Sequence, residues 1–166
     1  PTSVEAKGRT GTALRLVTQS TGDLGAAFGK PIAAGNLFVG TFDLASALFN
    51  PLAATRFGVP VNRIPTRFSG YYKWQPGEVF TDAQRKAVQG PAADGKDAPR
   101  IYAVVYRNAD AEGKAVTLDG SNILSSPLVV AVALLDDFTV TGVAENATWV
   151  HFDLPFAQRA PIDNRL

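Results

Sequence analysis

Eight consecutive apolar residues, Leu128 to Leu135, constrain this chain more than any other stretch. The run is far shorter than the roughly 20 residues a membrane-crossing helix needs. It is also too uniform for a strand with one wet face, where apolar and polar residues alternate. Pro127 precedes it and Asp136-Asp137 ends it. These features predict a strand covered on both sides, with Val130 and Leu134 as fully buried members of the core.

The segments around this run are built to match it. Alternation and β-branched content predict strands over 36–42, 67–74, 101–106, 127–135 and 148–154, with a weaker one over 13–18. Gly40, inside the first of these, marks a bulge or a close backbone approach. Asp43 is placed to cap a short helix through Leu48, which Asn50-Pro51 terminates. Residues 1–11 read as a loose lead-in, and 51–66, with three prolines, as a connection. Leu24 to Lys30 fits a helical turn or an irregular segment. Val116 to Ile123 holds a short strand and a glycine turn. Glu78 to Arg100 is too long for a hairpin and predicts a protruding loop. Fifteen glycines and eleven prolines punctuate these segments, and helical periodicity is nearly absent. The pattern is that of an all-β, antiparallel sandwich or barrel forming a single domain over 1–166.

Composition removes several function classes. A net charge of +1 with scattered basic residues gives no electrostatic case for nucleic acid or an anionic membrane. Cysteine is absent, which excludes disulfides, thiol nucleophiles and thiolate metal sites. A single histidine, His151, excludes a histidine-rich zinc centre. No Gly-x-Ser-x-Gly elbow supports a triad around it, and a lone strand histidine is more often structural than catalytic. Asp136 and Asp137 are adjacent, so on a strand they face apart, which is poor geometry for two carboxylates acting on one bond. Asp119-Gly-Ser-Asn122 offers oxygen ligands for calcium but lacks the spaced carboxylates of an EF-hand, and the turn reading is favoured. No cofactor or metal is expected. Methionine is also absent, and a chain beginning at Pro1 reads as processed, trimmed or recombinant.

Arg67 to Gly77 concentrates aromatic rings and cations. Along a strand, Phe68, Tyr72 and Trp74 share one face, and Arg67, Ser69, Tyr71 and Lys73 the other. By the same parity, Val150, Phe152 and Leu154 point inward and leave Trp149, His151 and Asp153 outward. The outward set suits a sugar. A ring stacks on the apolar C–H patch, and cations pair with hydroxyls. Arg67, Tyr71, Lys73 and Trp149 are therefore the candidate ligand-binding residues. The competing assignment swaps the faces and exposes Tyr72 and Trp74. The plainest alternative places every ring in the core.

Several stretches together resemble one family. They are Gly35 to Phe42, Gly70 to Gly77, and Asp119-Gly120 with Asn122-Ile123-Leu124 leading to the apolar strand. Ile101 to Tyr106, Trp149 with Phe152, and Leu154-Pro-Phe156 add to them. Their order and spacing are similar to the putative carbohydrate metabolism domain of Bacteroidetes surface lipoproteins, from about Gly35 onward. The resemblance implies a jelly-roll related to carbohydrate-binding modules and to some glycoside hydrolases. It also implies an exported protein, at the cell surface or in the periplasm, tethered to the outer membrane through an upstream lipidated cysteine. Family members usually continue beyond the equivalent of Pro161 to Leu166 with further strands, which are absent here. No catalytic residue of the family carries over to this sequence.

The sequence thus points to a glycan-binding domain of a cell-surface polysaccharide-acquisition system. A glycoside hydrolase on the same fold and a structural or adhesive module are the alternatives.

Overall fold

The computed structural model describes residues 2–5, 7–47, 49–61, 63, 65–80, 82, 86–87 and 99–161. In chain order the elements are β1 (Thr2–Glu5), β2 (Ala13–Leu16), β3 (Gln19–Ser20), α1 (Gly22–Ala27), β4 (Ile32–Ala33), β5 (Gly40–Phe42) and α2 (Leu44–Ala47). They continue with β6 (Thr55–Phe57), β7 (Arg67–Tyr72), β8 (Ile101–Tyr106), β9 (Val129–Leu135), β10 (Val150–Pro155) and β11 (Ala157–Gln158). The chain is all-β, with antiparallel pairing of β1 with β2, β3 with β4, β5 with β6, and β9 with both β8 and β11. Strands β7 and β10 pair with each other. The fold divides into two compact units: Pro1–Leu37, Tyr71–Pro99 and Asp137–His151 form the first, and Phe38–Gly70, Arg100–Asp136 and Phe152–Leu166 the second.

The second unit is organised by β9. Its pairing with β8 shifts register between Val105 and Tyr106, so that Val105 faces Ala131 while Tyr106 faces Val129. Val130 is thus an extra residue, and the side-chain parity of β9 changes there. Val129 and Val132 pack with Leu118 and Ile123 against Phe57, Tyr102 and Tyr106. Val130 and Ala131 pack with Val105 against Phe156 and Ala160. The middle of the apolar run is therefore covered on both sides, as its composition requires.

The end of the run is not. Leu134 is 43% exposed, against the expectation of full burial. β11 reaches β9 only at Ala131 and Val132, so that strand ends before Leu134. A uniform apolar run gives no sign of where its neighbouring strand stops.

Gly40 makes the close approach that its place in a strand suggested. It pairs with Phe57 of β6, and its φ is 144°. A Cβ there would lie 2.0 Å from the Arg56 carbonyl oxygen. Only 40–42 of the expected 36–42 strand is in a ladder. The partner β6 arises in 51–66, where prolines had suggested only a connection; its three residues fit between Pro51 and Pro60.

Asp43 caps α2. Its Oδ1 accepts the Ala45 and Ser46 backbone N–H groups at 3.0 and 3.2 Å, and its Oδ2 accepts the Ser46 hydroxyl at 2.6 Å. The Ser46 hydroxyl bond above all, then the backbone N–H groups, hold this carboxyl below its usual value. A depressed pKa means that the cap's charge stabilises the fold above the unfolded value of about 3.9 and stops doing so as pH falls through the folded value. The melting-temperature gap between wild type and Asp43→Asn is expected to persist from pH 7 to 5 and to close below about pH 4. A gap that stays constant on acidification would show that the charge is not what Asp43 contributes.

The remaining expected strands shorten or shift by one to two residues at their ends. β7 stops at Tyr72, and β2 at Leu16. β9 begins at Val129, and β10 spans Val150–Pro155. β8 spans 101–106 as expected. Residues 116–123 form a turn joined to β6 by an Arg56–Asp119 bridge, with no strand of their own. Leu24 to Lys30 resolves into α1, which begins at Gly22 and closes with Gly29 at φ 68°. The protruding loop expected over 78–100 lies largely outside the described residues, as do 162–166.

The first unit corrects the reading of residues 1–11. Thr2–Glu5 is a strand that pairs with β2, Val4 opposite Leu14. The Gly8 N–H donates to the Gly11 carbonyl at 2.8 Å, and Gly11 has φ 67°, which tightens the connecting loop. Elsewhere in this unit, Tyr72 and Trp74 both meet Phe138 edge-on, at 5.2 and 5.9 Å between ring centroids. The Tyr72 hydroxyl accepts the Thr139 N–H at 3.0 Å.

Candidate functional site

Strand parity sorts the side chains of β7 as its alternation suggested. Arg67, Ser69 and Tyr71 are exposed, while Phe68, Gly70 and Tyr72 are half-buried or buried. Tyr71 is 42% exposed and Tyr72 only 8%, which rules out the swapped assignment. Phe68 packs on Phe152 at 5.2 Å, and Gly70 leaves room for the Phe152 ring, which a Cβ would approach to 2.8 Å. On β10, His151 and Asp153 are exposed and Phe152 is buried, while Trp149, just before it, is half-buried.

Three of the four candidate binding residues, Tyr71, Lys73 and Trp149, belong to the first unit. They form two cross-strand couples. The Tyr71 ring lies 4.7 Å from the His151 ring, with 35° between the planes. The Lys73 ammonium lies 5.1 Å from the centre of Trp149, within cation–π range. The couples fall on alternate residues of both segments, the spacing of pairs that share a sheet face.

Arg67 belongs to the second unit. Its Nε donates to Asp153 Oδ1 at 2.7 Å, and its Nη2 to the Asp153 carbonyl at 3.0 Å. That partnership raises the guanidinium pKa further above an already high value, chiefly through the side-chain hydrogen bond. The sequence offered Arg67 as an open cation, whereas the fold ties two of its nitrogens to β10.

Lys73 is similarly engaged. Its ammonium donates to the carbonyls of Ala144 and Glu145 at 3.0 and 3.1 Å, which leaves one N–H of three. It anchors the 144–145 turn as well as resting on Trp149.

Two cations absent from the sequence-based candidates complete the face. The β1–β2 loop places the Arg9 guanidinium 4.1 Å from the centre of the Tyr71 ring. The same loop carries Lys7, which forms an exposed ion pair with Glu145. The available signal was Gly8-Arg-Thr-Gly11 between two β-prone segments, which is a hairpin pattern. It was weak because β1 is short and polar.

Chemically, this face offers one exposed phenol ring, one half-buried indole and an exposed guanidinium. Glu145 is the carboxylate that enters these contacts among the described residues, and Lys7 neutralises it. The Asp119 segment is a turn: Asp119 Oδ1 accepts the Ser121 N–H at 2.8 Å, and Asn122 Oδ1 accepts the Asp119 N–H at 2.9 Å. Among the described residues, no three histidine or carboxylate side chains gather as a metal site, and no helix is long and apolar enough to cross a membrane.

Two solved structures similar to this chain come from Bacteroides. One is a putative glycoside hydrolase from Bacteroides thetaiotaomicron, 42% identical, with a TM-score of 0.83 over 98% of this chain and 45% of its own. Another, a putative glycoside hydrolase from Bacteroides vulgatus, is 33% identical, with a TM-score of 0.79 over 98% of this chain and 61% of its own. The chain thus spans about half the length of these relatives. No curated protein matches the sequence significantly. The family model described as putative carbohydrate metabolism domain matches residues 1–165, and the chain belongs to that family.

Proposed function

We propose that this chain is a glycan-recognition domain of a cell-surface polysaccharide-acquisition system, exported and lipid-anchored in its full-length protein. One observation carries the proposal: a member of a carbohydrate-related family displays Tyr71, ringed by Arg9 and His151, on the same unit as the Lys73–Trp149 couple. A sugar packs its apolar C–H patch against an exposed ring, its hydroxyl oxygens accept hydrogen bonds from neighbouring cations, and this set supplies both kinds of contact. Arg67, in the second unit, is proposed on its own account as a sugar-contacting cation through Nη1, the nitrogen that does not bond to Asp153.

The second reading is glycan hydrolysis, favoured by the description of the two solved relatives. That chemistry needs two carboxylates about 5–9.5 Å apart across the scissile bond. A glycan array probed with the soluble domain, followed by an assay for new reducing ends on each retained glycan, separates the readings. Retention without new reducing ends is the expected result. New reducing ends would establish the hydrolase, and an empty array would contradict both.

A further inference from the structure

The binding face carries an imbalance of charge that the glycan-recognition reading does not itself require. Within its contacts, Lys7, Arg9 and Lys73 stand against one carboxylate, Glu145. Lys7 is spent on Glu145, and Lys73 on two carbonyls and an indole. Arg9 differs. It is exposed, its guanidinium lies on the Tyr71 ring, and no carboxylate among the described residues pairs with it.

A guanidinium stacked on a ring keeps its N–H edge free while its plane is held in place. Arg9 therefore rests over the ring with donors that no carboxylate among the described residues uses. Those donors match a planar carboxylate, which can take two parallel N–H bonds at once. A neutral hydroxyl would use only part of that fork. The loop that carries Arg9 is itself anchored, by the Gly8–Gly11 hydrogen bond and by the Lys7–Glu145 ion pair. The ion pair ties this loop to the same 144–145 turn that Lys73 holds.

We propose that the glycan recognised at this face is acidic. Its anionic sugar pairs with the Arg9 guanidinium while a neighbouring sugar ring contacts Tyr71 and Trp149. The shared chemistry is an anionic substituent, assigned to a uronic-acid carboxylate, whose two coplanar oxygens match the planar fork. The inference rests on the glycan-recognition reading and narrows its ligand class.

The test is calorimetric titration of the intact chain with an oligogalacturonide, its fully methyl-esterified form, a sulfated carrageenan oligosaccharide and a neutral glucan oligosaccharide. Esterification removes the charge and leaves the sugar ring. A charged hydrogen-bonded pair of this kind corresponds to about tenfold or more in affinity. The acid is therefore expected to bind at least about tenfold more tightly than its ester, with the advantage shrinking as salt is raised. Arg9→Ala is expected to abolish the preference, and Arg9→Lys to restore part of it, because the charge returns without the fork. Unchanged melting curves would confirm that both variants fold. Equal binding of acid and ester would overturn the inference and leave glycan recognition standing. Tighter binding of the carrageenan would overturn the carboxylate assignment. Binding of none of the four, in a protein whose array also retains no glycan, would overturn both readings.

Discussion

Gly40→Ala is expected to destabilise the protein by about 2–5 kcal/mol, from backbone strain and a backbone clash acting together. The φ of 144° lies in a region that side-chain-bearing residues rarely adopt. The added methyl would also sit 2.0 Å from the Arg56 carbonyl oxygen, an atom held by the β5–β6 ladder. Relieving that overlap means separating β5 from β6. β6 cannot move freely, because the Phe57 N–H donates to the Leu118 carbonyl at 2.9 Å and the Phe57 ring packs against the core cluster of the second unit. Gly113→Ala is the control. Its φ is 80°, but nothing lies within 4 Å of the added Cβ. It carries the strain without the clash and is expected to cost only about 1–2 kcal/mol. Chemical denaturation of the pair gives the comparison. Equal losses would remove the close approach from the explanation.

Leu118→Ala is expected to cost about 2–5 kcal/mol, and Leu134→Ala under about 1 kcal/mol. The two substitutions are chemically identical and the residues belong to the same unit, so only their surroundings differ. Leu118 is 2% exposed and sits with Ile123, Val129 and Val132, enclosed by Phe57, Tyr102 and Tyr106. Truncation there leaves a cavity between side chains that β8 and β9 hold in register. Leu134 is 43% exposed at the far end of β9, where truncation mostly exchanges one wet surface for another. A denaturation series on both variants tests this. A larger loss at Leu134 would mean that the apolar run is covered along its full length.

The contrast between these two leucines shows what the chain discloses about its own fold. Leu134 lies in the most apolar stretch of the sequence, and Leu118 in a short segment between the 108–114 turn and Asp119. Local hydrophobicity ranks them in the wrong order, because burial depends on which distant segments arrive: Leu118 meets Val129, Val132 and Phe57, whereas Leu134 stays 43% exposed. Features that act over a few residues were legible. Gly40 in a β-prone run announced a close approach, and Asp43 before Leu44-Ala-Ser announced a cap. The register shift at Val130 was not, since a bulge is a property of two strands and neither sequence alone shows it.

The site follows the same division. Alternation along β7 distinguished Tyr71 from Tyr72, because parity is local. The engagement of Arg67 with Asp153 and of Lys73 with the Ala144 and Glu145 carbonyls depends on partners 71 to 86 residues away. Arg9 escaped notice for the same reason. Its role comes from a ring 62 positions further on, and the short β1 that holds its loop is too polar to stand out as a strand.

Titration calorimetry with a glycan retained on the array tests the central claim most directly. It should be run on wild type, Tyr71→Ala, Tyr71→Leu and Trp149→Ala, with melting curves in parallel. If the face binds sugar, both alanine variants weaken affinity by about 1–3 kcal/mol. Tyr71→Leu, which keeps apolar bulk without a flat ring, remains weakened and folded. Wild-type affinity in variants that melt as wild type does would contradict the account.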